Sequence, residues 1–174
     1  MPTRQPLPRL WLMTDERLGD GLFHAIGRLP PGAGIVFRHY GLGEVARRDL
    51  FERVRAAAPG PVFLAGPASL ARAWGADGSH GHGRAARDGF RSAPVHDLAE
   101  IRAAERDRAD LLFLSPAFVT NSHPGARPLG LARFAWLARR TALPIIALGG
   151  MNAQRGCRLA GFGAYGWGAI DAWA

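Results

Sequence analysis

Short apolar runs alternate with segments of helical period along this 174-residue chain, and that rhythm restricts the fold more than any other feature. The runs 10–14, 34–38, 61–65, 78–82, 90–95, 111–115, 145–148 and 164–168 have the length and the turn-rich borders of strands. Between them the apolar spacing predicts helices over 18–27, 44–57, 68–74, 98–108 and 131–140, and from Asn152 to Leu159. Asp97 and Asn152 stand at N-cap positions, where a short side-chain oxygen accepts a free helical N–H. Strands joined by helices run parallel through right-handed crossovers, and eight of them close on themselves. The fold class expected is a compact α/β (β/α)8 TIM barrel with a truncated final helix. With no internal repeat or linker it forms one domain over residues 1–174, pared down from the roughly 250 residues usual for such barrels.

The formal charge of +8 resembles a nucleic-acid signal, but every basic residue is arginine and lysine is absent, which points to compositional bias. Arg47-Arg48 and Arg139-Arg140 fall on helix faces without an aromatic stacking platform, so they read as solvated surface. No specific nucleic-acid partner is expected. Cys157 is the only cysteine, which excludes an intrachain disulfide and a cysteine zinc site and fits a reducing cytoplasm. No run is long and apolar enough for a signal peptide or a bilayer span, so a soluble, cytoplasmic protein without a membrane partner is expected.

Two glycine turns mark the candidate site. Leu143 to Asn152 ends a strand in Gly149-Gly150, and Gly168-Ala169 ends the next one. Backbone without Cβ atoms lets N–H groups approach an anion, and the turns after the last two strands are where such barrels commonly hold phosphate. The expected ligand is a phosphorylated small molecule, with Arg127 or His123 closing over its far side. The competing reading is that Gly149-Gly150 is only a tight strand-to-helix turn.

Four segments carry a family resemblance: Leu12-Met13-Thr14-Asp15, Leu70 to Gly78 ending in Trp74-Gly75-Ala76-Asp77-Gly78, Ser115-Pro116-Ala117-Phe118-Val119-Thr120, and Pro144 to Met151. In order and spacing the chain resembles the thiamine phosphate synthase and thiazole tautomerase family over essentially its whole length. The resemblance implies a condensation of hydroxymethylpyrimidine pyrophosphate with thiazole phosphate, assisted by Mg2+ as cofactor. It places Arg38, Thr120, Ser122 and His123 at catalytic positions, and Gly149, Gly150, Gly168 and Ala169 at the phosphate turns, with Arg127 nearby. This chain also departs from the pattern. The family's Gln, Arg and Lys on strand two are Val36, Arg38 and Tyr40, expected to face the barrel interior. The positions of its Asn-Asp, the latter a magnesium ligand, are Ala65 and Gly66. The second metal carboxylate falls near Ala85, with Asp88 as a displaced alternative, and a pyrophosphate serine falls near Pro94, with Ser92 as substitute. The tautomerase histidine corresponds to Pro116, against that activity. The magnesium ligands thus read as lost, and no metal site is assigned.

His39, His80, His82, His96 and His123 lie at strand ends, the catalytic rim of a barrel. His80 and His82 share a strand face that could chelate a metal, or they are structural. Asp15 at the rim is a metal ligand, a base or a hydrogen-bonding post. Three classes remain open: a synthase with an altered site, a non-catalytic or regulatory binder of a phosphorylated thiazole, pyrimidine or thiamine species, and a repurposed histidine-rich enzyme. Assembly is open too, a homodimer included.

Overall fold

Eight short strands, each with alternate residues turned inward, arise from the apolar runs: β1 (Leu10–Met13), β2 (Gly34–Phe37), β3 (Val62–Ala65), β4 (Gly78–His80), β5 (Phe90–Val95), β6 (Leu111–Leu114), β7 (Ile145–Ala147) and β8 (Gly166–Ala169). In the computed structural model, which describes residues 7–83, 89–120, 125 and 127–173, they pair in sequence order and β8 returns to β1, closing a parallel barrel. Six helices surround it: α1 (Leu22–Gly27), α2 (Glu44–Ala57), α3 (Ala68–Ala73), α4 (Leu98–Arg106), α5 (Gly130–Ala138) and α6 (Ala153–Ala160). Asp97 and Asn152 cap α4 and α6, their side chains accepting from Glu100 and Arg155 N–H at 2.9 Å each. The expected (β/α)8 barrel is therefore the observed one. None of the helices among the described residues is long and apolar enough to cross a membrane.

The barrel interior is a jigsaw of rings and gaps. Trp11 on β1 meets Phe63 edge-on at 5.0 Å and Phe113 at 5.4 Å, with Val36, Leu111 and Ile146 buried beside them. Gly34 and Gly78 leave the space those rings need, since a Cβ there would stand 2.5 Å from the Trp11 indole and 2.7 Å from the Phe63 ring. Outside the barrel, α1, α2 and α3 bury Ile26, Phe51 and Ala71 against β1 to β3, while α4, α5 and α6 bury Ile101, Phe134 and Leu159 against the other half.

Two local expectations differ. The helix anticipated over 18–27 is a 3-10 segment (Glu16–Gly21) followed by α1, because Gly19 at φ 45°, ψ −129° interrupts the helical path. After β8 the chain turns, and Trp173 stacks on Trp167 at 5.2 Å and donates its indole N–H to Trp11 O at 3.3 Å. An aromatic pair thus covers barrel surface that a helix covers elsewhere.

Candidate functional site

A cavity of about 470 Å³ opens at the C-terminal mouth of the barrel, a volume suited to a small molecule. Its walls come from the ends of β1, β2 and β5 to β8. Of the residues singled out in the sequence, Arg38, His96, Thr120, Gly149, Gly150, Gly168 and Ala169 line it; Tyr40, His80 and Arg127 do not. Ser122, His123, Ala85 and Asp88 lie outside the described residues.

The turn after β7 is the most distinctive wall. Gly149 and Gly150 both adopt left-handed backbone, φ 88° and 61°. The chain then enters α6 through its cap, Asn152. Among the described residues, the N–H groups of Gly149, Gly150 and Met151 have no hydrogen-bond acceptor, although all three residues line the cavity. Three consecutive N–H groups without a protein acceptor thus stand in the cavity wall ahead of a helix N-terminus. The glycines also serve the fold: a Cβ on Gly149 would stand 2.8 Å from Pro116, and one on Gly150 would collide with the Val119 carbonyl. The tight turn is therefore observed, and the same backbone lines the cavity.

The cation at this turn is Arg155, on the first turn of α6. It lines the cavity, donates Nη1–H to Gly150 O and lies over the Phe118 ring at 4.8 Å. Arg127, expected to take that role, is exposed and stands outside the cavity wall. The overlooked signal was positional: an arginine three residues after a capping asparagine is held beside the turn that precedes the helix.

Arg38 enters from the end of β2. Its Nε donates to Thr14 O at 2.7 Å and its Nη2 to Asp15 Oδ2 at 2.8 Å, which fixes the guanidinium at the cavity. Asp15 also accepts from Arg17 N and Nε, at 3.1 and 2.8 Å. Burial raises its pKa, but the Arg17 hydrogen bonds and the Arg38 charge outweigh that and hold the carboxyl below its ordinary value. These hydrogen bonds hold Asp15 at the rim between Arg17 and Arg38.

Tyr40 corrects an expectation. Val36 faces the barrel interior and Arg38 the cavity, but Tyr40 is 65% exposed and its ring sits 5.5 Å from the Arg47 guanidinium on the outer layer. Strand alternation stops at Phe37, and His39 at φ 36° turns the chain before Tyr40 is reached. Arg47 itself departs from the solvated-surface reading. It donates to Arg38 O at 2.9 Å and to Ala65 O at 2.7 Å, between the rings of Phe37, Tyr40 and Trp74. Arg48 matches that reading, with an exposed 3.2 Å pair to Glu52.

The histidines are dispersed. His39 is buried, stacked on Phe37 at 4.9 Å with its Nδ1 3.0 Å from Thr14 Oγ1. His80 is buried and bonded to Ser92, while His82 is exposed beyond the end of β4. His96 is pinned by Glu100 at 2.8 Å. Among the described residues, no three His, Cys, Asp or Glu side chains gather around a common point.

Comparison with known proteins agrees with this geometry. The family model described as thiamine monophosphate synthase matches residues 32–172. The thiamine-phosphate synthase of Methanoculleus marisnigri is 31% identical over 94% of this chain and 86% of its own length. A relative from Aquifex aeolicus is 38% identical over 35% of this chain, a stretch that spans 33% of the relative's length. Among solved structures, a thiamine phosphate pyrophosphorylase from Pyrococcus furiosus superposes with a TM-score of 0.76 over 95% of this chain and 86% of its own, at 22% identity, and so shares the fold. From its barrel, its glycine turns and these matches, the chain belongs to the thiamine monophosphate synthase family.

Proposed function

We propose that this protein binds a phosphate monoester of the thiamine-phosphate synthase reaction, thiazole phosphate or thiamine phosphate, with the phosphate at the turn after β7. The observation that carries this reading is the run of acceptor-less N–H groups at Gly149, Gly150 and Met151 in the cavity wall. Arg155 supplies the adjacent positive charge, and Gly168 and Ala169 form the neighbouring wall. Arg38, oriented by Thr14 and Asp15, offers a second cation for an anionic group on the ligand.

The family's magnesium does not fit the described end of β3. Mg2+ takes carboxylate and water oxygens in octahedral array. Ala65 and Gly66 carry no side-chain oxygen, and the Ala65 carbonyl already accepts from the Arg47 guanidinium, whose charge repels a dication. No step is therefore assigned to the metal, and the condensation of pyrimidine pyrophosphate with thiazole phosphate is expected to be strongly impaired. Calorimetry with thiazole phosphate, together with a coupled assay of both precursors with and without magnesium, tests the reading. Binding without magnesium-dependent turnover supports it. Turnover near the typical enzyme rate of about 1 s⁻¹ or more overturns the impaired-reaction part, and an absence of binding overturns the phosphate site.

A further inference from the structure

The cavity at the barrel mouth holds one residue of the opposite sign to its arginines. Arg38 and Arg155 enter the wall from the end of β2 and from α6, whereas Asp171 is the single acidic residue among the described residues that line it. The chain puts it there directly: β8 ends in Gly168 and Ala169, beside the turn after β7, and the backbone continues along the cavity through Ile170 to Asp171. Other carboxylates of the rim are engaged within the protein. Asp15 accepts from Arg17 and Arg38 at 2.8 Å each, and Glu100 holds His96 at 2.8 Å. Asp171 accepts no hydrogen bond from the described residues; its charge acts on Arg17 through space, and Arg17 is itself paired with Asp15.

A carboxylate in the wall of a cavity that takes a phosphate works against a ligand that is anionic throughout, because like charges repel across the mouth. It works for a ligand whose remaining part is a cation. We infer that Asp171 is a specificity-determining residue of this cavity, selecting phosphate monoesters that carry a positive charge on the group outside the phosphate turn. Met13, Leu148 and Ile170 supply apolar wall for the body of that group, so the matching chemical class is the phosphate ester of an N-alkylated azolium ring. Of the two ligands proposed above, thiamine phosphate has such a charge and thiazole phosphate does not. The inference rests on the proposed site, with the ligand's phosphate at the turn after β7.

The test titrates two probes by calorimetry at low ionic strength: thiazole phosphate, and the same ester methylated on its ring nitrogen, which adds a methyl group and a positive charge. Inorganic phosphate is titrated separately. Wild-type protein should bind the methylated ester about fivefold more tightly than the neutral one, the worth of a charge pair at a partly exposed site. Asp171→Asn, equal in shape and without the charge, should bring the ratio to about one, and Asp171→Glu should keep most of it. Both variants should bind inorganic phosphate, Asp171→Asn at least as tightly as the wild type, which also shows that they fold. Equal wild-type binding of the two esters, a preference that survives Asp171→Asn, or loss of phosphate binding by Asp171→Asn overturns the inference while leaving the phosphate site standing. Wild-type protein that binds neither ester nor inorganic phosphate overturns the phosphate site, and this inference falls with it.

Discussion

Two stretches of the barrel rim handle their backbone polar groups in opposite ways. At the end of β7, the N–H groups of Gly149, Gly150 and Met151 have no acceptor among the described residues, and all three residues line a cavity. At the ends of β2 and β3, the carbonyls of Arg38 and Ala65 are closed off by a single side chain, Arg47, held between three aromatic rings. Donors beside open space can be met by water or by an anionic ligand, whereas burying them unmet would be costly. Carbonyls closed by an internal guanidinium belong to the scaffold. One stretch of rim is open to a ligand, and the other is closed by an arginine at the end of β3, where the family resemblance would put an Asn-Asp pair.

The sharpest way to break this contrast is at Gly150. A Gly150→Leu substitution meets a left-handed φ and the Val119 carbonyl together, and should destabilise the protein by about 3 kcal/mol or more as well as abolish phosphate binding. Urea unfolding checks it, and a stability loss under about 1 kcal/mol would show the turn to be looser than described. At the other stretch, Arg47→Ala removes the donor to two carbonyls and should cost about 2 kcal/mol, whereas Arg48→Ala, in an exposed pair, should cost less than about 0.5 kcal/mol. Equal effects at the two positions would make Arg47 ordinary surface.

Acid stability probes a buried titratable group on β4. His80 has its pKa lowered to about 3, mainly by burial, against an ordinary value of 6.5. As pH falls below 6.5 the unfolded chain takes up this proton and the folded one does not, so stability is lost as pH falls from 6.5 towards 3. Between pH 7 and 5 the loss should be about 2 kcal/mol, and it should be missing from His80→Gln when denaturation is compared across pH.

Much of the fold was legible because it is written in local periods. Short apolar runs with turn-rich borders mark most of the strands, 3.6-residue spacing marks the helices, and Asp97 and Asn152 announce two helix starts. The glycine turns were legible for the same reason, since their chemistry is contained in a few neighbouring residues. Long-range closure was not legible. Nothing near Arg47 in sequence says that the β3 carbonyl at Ala65 will lie within reach, and nothing near Tyr40 says that β2 stops at Phe37. The start of β8 was placed early because Ala164 looks apolar, yet its N–H bonds back to Leu159 O at the end of α6. Arg127 is conspicuous in its loop, whereas the geometry that brings Arg155 to the β7 turn exists only once that turn and the first turn of α6 are formed.

The most direct measurement is calorimetric titration of thiazole phosphate into the wild type and Arg155→Met, with the unfolding midpoint of each recorded alongside. Arg155 is exposed apart from its place at the Gly150 turn, so its loss should leave stability within about 0.5 kcal/mol while weakening phosphate binding about tenfold, or roughly 1.4 kcal/mol. Wild-type protein that binds no phosphate ester, or an Arg155→Met variant that binds it equally well, would contradict the assignment of the turn after β7 as the ligand site.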